Sequence, residues 1–105
     1  MQKQQGDVLC TKLESLPEEG ARKKIKRTKR GLVLAEGEAT GHAHIIEDTD
    51  AELIQIGERM LLNLTKSATI KHDEHGPITL EPGIWEIGRV REKDWLNDMV
   101  RTVAD

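Results

Sequence analysis

Apolar positions in this chain fall into short runs, each stopped by a turn signal before it reaches helical length. Asp7 to Leu13 reads as a strand, closed by Leu16-Pro17-Glu18-Glu19-Gly20. Leu32 to Glu36 reads as a second strand and Thr40 to Ile46 as a third, with Gly37 and Gly41 marking the change of direction. Beyond the turn cluster Glu47-Asp48-Thr49-Asp50, Leu53 to Ile56 and Met60 to Leu64 flank Gly57-Glu58, the pattern of a tight hairpin. Ala68 to Ile70, Ile78 to Leu80 and Ile84 to Val90 follow, the last two separated by the turn dipeptide Pro82-Gly83. Trp95, Leu96, Met99, Val100 and Val103 have helical spacing, whereas Val100 to Val103 also suits a strand; the C-terminal segment is therefore a short helix or a strand. About eight short strands with frequent turns predict an all-β fold, a small single-domain barrel or sandwich.

Length agrees with one β domain over residues 1–105. The core must be aliphatic, since Leu, Ile and Val supply 11, 9 and 5 side chains against two Trp and no Phe or Tyr. So few aromatic faces argue against a stacking platform for single-stranded nucleic acid. A small core with open strand edges predicts a homo-oligomer. Cys10 is the one cysteine, which excludes an internal disulfide and thiolate zinc motifs; its run Val8-Leu9-Cys10 makes it a small buried hydrophobe. No apolar run is long enough to span a bilayer, and Met1-Gln2-Lys3-Gln4-Gln5 is no signal peptide, so the expected compartment is cytoplasmic, away from membranes.

Charge is unevenly spread. The net charge is only -3, yet seven of the nine residues from 22 to 30 are basic: Arg22, Lys23, Lys24, Lys26, Arg27, Lys29 and Arg30. With those seven taken from the 16 basic residues, nine remain against 19 acids, a net of -10. The run lies in a stretch, residues 17–31, that reads as a flexible basic loop. It suits contact with nucleic-acid phosphates, docking on a protein partner or another subunit, or simple solvation.

The four histidines form two pairs, His42-Ala43-His44 and His72-Asp73-Glu74-His75. In a strand, residues i and i+2 project to one face, so His42 and His44 are placed to grip one metal ion. Asp48 shares their parity and adds a carboxylate. If the second pair lies alongside, His42, His44, His75, His72 and Asp48 make a ligand set for one divalent transition metal: Zn, Fe, Mn, Ni or Cu. The other readings are a hydrogen-bonded imidazole cluster served by Glu38, Thr40, Asp73 or Glu74, a cluster at a subunit interface, and unrelated surface histidines. No nucleophile elbow surrounds Ser15 or Ser67, and no Gly-rich phosphate loop is present, so the sequence leans away from an enzyme.

Three stretches resemble a family of small uncharacterised bacterial and phage-borne proteins: Gly6-Asp7-Val8, Ala35 to His44, and Glu74 to Gly83 with Trp85 and Arg89-Val90-Arg91-Glu92 beyond. That resemblance implies a bacterial or phage setting rather than a chemistry. A looser one is to cupins, whose first motif looks like His42-Ala43-His44 with Asp48 in the carboxylate position. Gly76 and Pro82 have the spacing of the second motif, but no His follows Gly83; His72 and His75 lie upstream. The resemblance implies a cupin-like barrel and a metal site. The leading expectation is a small cytoplasmic phage- or mobile-element-type protein with a histidine-centred metal site. Its rival is a non-catalytic assembly or accessory protein that binds subunits or nucleic acid through the basic loop.

Overall fold

A computed structural model describes residues 1–17, 20–36 and 42–89. Its strands are β1 (Gln2–Gln5), β2 (Val8–Leu13), β3 (Arg22–Ile25), β4 (Leu32–Glu36), β5 (Ala43–Ile46), β6 (Ala51–Ile56), β7 (Arg59–Leu64), β8 (Ala68–Lys71), β9 (Ile78–Leu80) and β10 (Gly83–Arg89). They form a six-stranded sheet, in the order β1-β2-β10-β7-β6-β3, and a four-stranded sheet, β4-β5-β8-β9. All pairings are antiparallel. The all-β expectation therefore holds, in its two-sheet form. The segment Trp95 to Val103 lies outside the described residues.

Strand alternation builds the core. Val8 and Cys10 of β2, Leu53 of β6, Leu62 and Leu64 of β7, and Trp85 and Ile87 of β10 share one buried cluster with Leu32 and Leu34 of β4, Ile46 of β5, Ile70 of β8 and Leu80 of β9. Odd and even positions on β6 divide between two clusters: Leu53 joins the main core, whereas Ile54 and Ile56 pack with Leu61 and Leu16 in a second one. The six-stranded sheet thus has two apolar faces, and the connection after β2 covers the outer one. Cys10 is buried and free, and burial pushes its thiol up to about 11, as suits a packing residue.

The β6–β7 hairpin turns at Gly57-Glu58 as its sequence predicts, with Gly57 in the left-handed region. Two strands lack an apolar run to announce them. The polar β1 is held by pairing with β2 through a two-residue turn whose first member, Gly6, has φ +57°. The basic stretch expected as a loop carries β3, paired with β6 from Arg22↔Ile56 to Ile25↔Leu53. Only Ile25 of that strand packs on the core, which explains why its composition reads as loop. The β4–β5 pairing shifts register between Val33 and Ala35, directly before Ala35 meets His44. Such bulges re-aim the side chains beside them.

Candidate histidine site

The four histidines, two segments apart in sequence, meet at one end of the molecule. His44 lies on β5 with the parity of the core residue Ile46 and is itself only 3% exposed. His42 precedes β5 and is half-buried. His72 and His75 sit in the β8–β9 connection, brought alongside by the β5–β8 pairing Ile45↔Lys71. The ring centroids are 4.4 Å apart for His44–His72, 4.7 Å for His72–His75, 5.8 Å for His42–His72 and 6.2 Å for His44–His75. His72 is therefore the ring that bridges the two pairs. His75 lies over the β1–β2 turn so closely that a Cβ on Gly6 would fall 2.5 Å from its Nε2.

Hydrogen bonds fix the proton positions. Gln5 is buried, and its amide nitrogen donates to the carbonyls of Ile70 at 2.8 Å and Gly76 at 2.9 Å. Both amide hydrogens are then used, so Gln5 Oε1 must accept from His44 Nδ1, 2.9 Å away. His44 Nδ1 carries a proton, and in a neutral ring Nε2 is a bare lone pair. That nitrogen faces Asp7 Oδ1 at 3.2 Å. The other Asp7 oxygen accepts from Arg89 Nε at 3.0 Å and from an Arg89 terminal nitrogen at 2.7 Å.

His72 has the opposite tautomer. Its Nδ1 accepts the backbone amides of Glu74 at 3.0 Å and His75 at 3.3 Å, so a neutral ring carries its proton on Nε2. At the mouth, His42 Nδ1 lies 2.7 Å from Glu74 Oε1 and its Nε2 lies 3.8 Å from Asp73 Oδ2.

The electrostatics pull in two directions. Burial is the largest influence on His44 and drives its pKa down; the neighbouring His72 adds to this, and Asp7 opposes without prevailing. For Asp7, burial acts upward, but the hydrogen bonds and charge of Arg89 outweigh it and hold the carboxyl below the ordinary 3.8. The site thus favours a neutral imidazole beside an ionised carboxylate.

The structure gathers His42, His44, His72 and His75 but not Asp48. That residue lies past the far end of β5, where Oδ2 accepts the Thr69 amide at 3.0 Å. The strand parity that the sequence suggests does not extend to it, because β5 ends at Ile46. Among the described residues, no three His, Cys, Asp or Glu side chains stand in metal-ligating arrangement. The basic residues lie along β3 and the turn after it, and Arg27, Lys29 and Arg30 of that turn line a depression that also holds Asp73. Gln5, Asp7 and Arg89 are the members that site reasoning from sequence overlooks. Two of them lie inside the motif stretches Gly6-Asp7-Val8 and Arg89-Val90-Arg91-Glu92, which is the signal that could have found them.

Fold and site define a small antiparallel two-sheet domain with an imidazole cluster anchored to a buried Gln and an Asp–Arg pair. The chain belongs to the family described as a domain of unknown function (DUF8820), matched over residues 4–90, a span that holds every site residue named above. No curated protein matches the chain, and no solved structure does. Membership agrees with the resemblance to an uncharacterised family, whereas the cupin resemblance stays one of motif spacing. No helix among the described residues is long and apolar enough to cross a membrane.

Proposed function

We propose that this protein is a transition-metal-binding module, with the ion seated between His44 Nε2 and Asp7 Oδ1 and with His75 and His42 turning in to complete its shell. The observation that carries the reading is that facing pair of acceptors, 3.2 Å apart. Two lone-pair atoms facing each other at contact distance repel, and a positive species between them, either a proton or a metal ion, relieves that repulsion. Ligands on one ion, each at about 2.0–2.1 Å, stand roughly 3.3 Å apart at a tetrahedral angle. The neighbouring imidazoles tip the choice. Burial, and then charge repulsion from His72 and His75, lower the affinity of His44 for a proton, whereas a metal gains from a neutral ring that can reach it. The Gln5 bond to Nδ1 and the Arg89 bonds to Asp7 are the outer-shell supports that metal ligands use. His72, with Nδ1 committed to two amides and its proton on Nε2, serves to hold the turn rather than to ligate.

The test is elemental analysis and Zn²⁺ or Ni²⁺ titration calorimetry on protein purified without a histidine tag. About one equivalent per chain is expected, lost in His44→Ala and in His75→Ala and retained in Asp48→Asn. Metal at about 100 times its Kd then adds about 2.7 kcal/mol of stability. Failure of Zn, Ni, Mn and Fe alike to bind or to raise Tm, together with an NMR signal for a proton on His44 Nε2 at neutral pH, would assign the gap to a proton and end the metal reading.

A further inference from the structure

We infer that the basic edge of the six-stranded sheet is a docking surface for the phosphate backbone of double-stranded nucleic acid. Among the described residues β3 is the last strand of that sheet and pairs on one side only, with β6. Arg22, Lys23 and Lys24 lie exposed along it, and Lys26, Arg27, Lys29 and Arg30 continue the edge through a turn closed by the Thr28↔Gly31 bridge. The Thr28 hydroxyl donates to the Gly31 carbonyl and accepts the Arg30 amide, which gives this turn a defined shape.

What sets the run apart is its missing counter-charge. Among the described lysines and arginines outside the run, Lys12, Arg59, Lys66, Lys71 and Arg89 stand in ion pairs with carboxylates, and Lys3 donates instead to the Thr79 carbonyl. Of the seven cations in the run only Lys24 does, with Glu52 at 3.7 Å, between largely exposed side chains that water screens. Arg22 and Arg27 are oriented by backbone carbonyls, Pro17 for the first and Ile46 and Glu47 for the second, which aims the guanidinium groups without neutralising them. Lys23, Lys26, Lys29 and Arg30 are exposed and stand in no ion pair among the described residues, although Glu47 and Asp73 line the same depression as Lys29 and Arg30.

The chemistry of the surface selects the partner. A protein strand added to this edge would need apolar side chains to pack against, and β3 offers only Ile25, which is turned into the core. Base stacking finds no platform among the described residues, where Trp85 is wholly buried. Charge alone remains, and a duplex presents the densest regular array of it, one phosphate charge per about 1.7 Å of axis. The rest of the chain, at a net of -10, repels the same polyanion and so turns this edge toward it. The surface makes no base contacts, and its binding is sequence-independent.

The experiment is fluorescence anisotropy with a labelled duplex of about 20 base pairs and arbitrary sequence, at 50 and 200 mM salt, with the single strand and poly-glutamate as competitors. Four phosphate contacts give a log–log salt slope of about -3.6, so affinity falls about 100-fold over that range. In Lys23→Gln/Lys26→Gln/Lys29→Gln/Arg30→Gln the slope is expected to collapse by three to four units. In the control Lys66→Gln/Lys71→Gln it stays. No binding at 50 mM salt overturns the inference. So does an equal loss in the control, which would make the effect one of overall charge. Displacement by poly-glutamate at matched charge would assign the surface to an acidic protein, and preference for the single strand would reject the duplex.

Discussion

At the histidine end, Gln5 donates twice to carbonyls and accepts from His44, Asp7 is shared between His44 and Arg89, and His72 accepts two amides. At the β3 edge, Lys23, Lys26, Lys29 and Arg30 reach into water and form no ion pair among the described residues. The same protein handles polarity in two ways, and burial decides which. Among the described residues no buried side-chain nitrogen or oxygen lacks a partner, because leaving one unmade costs about 1–3 kcal/mol. Exposed charge needs no partner, so its arrangement is free to serve a long-range field. One region is specified by contacts, and the other by a surplus of one sign.

The sharpest way to break this contrast is Gln5→Leu. It strands the carbonyls of Ile70 and Gly76 and the Nδ1 proton of His44, and a loss of about 2–4 kcal/mol in urea unfolding is expected. A loss under about 0.5 kcal/mol, the ordinary surface value, would mean that water replaces Gln5 freely and that the two regions do not differ. Proton linkage gives the next effect. The folded pKa of His44 lies below its ordinary 6.5, so the unfolded chain binds the proton more readily. Stability should fall as pH drops below 6.5 and level off beneath the folded value, and His44→Gln should remove that slope in metal-free protein. An unchanged slope would show that His44 does not carry the linkage. The smallest effect belongs to the edge: Lys23→Gln/Lys29→Gln should alter unfolding free energy by no more than about 0.5 kcal/mol. A larger change would show that these cations support the fold.

How much of this was legible follows from the same division. Strands with an inward apolar set were readable: β2 from Val8 and Cys10, and the β6–β7 hairpin from Leu53, Leu62, Leu64 and the Gly57-Glu58 turn. β1 and β3 were not, because pairing and edge position hold them rather than apolar alternation. The pairing of His42 with His44 could be argued from parity and that of His72 with His75 from proximity. Their convergence on Asp7 and Gln5 could not, since it depends on which strands neighbour one another. Asp48 shows the limit of parity: it counts faces but not distance along a strand. No local pattern marks a glutamine such as Gln5, whose partners lie 65 and 71 residues onward.

The Asp7–Arg89 pair spans 82 residues, and this sets a timetable for synthesis. At about 5–20 residues per second, Asp7 is made roughly 4–16 s before Arg89 exists. Gln5 waits nearly as long for its acceptors. The partners of the β1–β2 turn on β8, the histidine turn and β10 are all made after it. Closure of the histidine end therefore cannot precede synthesis of β10, and an intact His44–Asp7–Arg89 chain joins the first turn of the fold to its tenth strand.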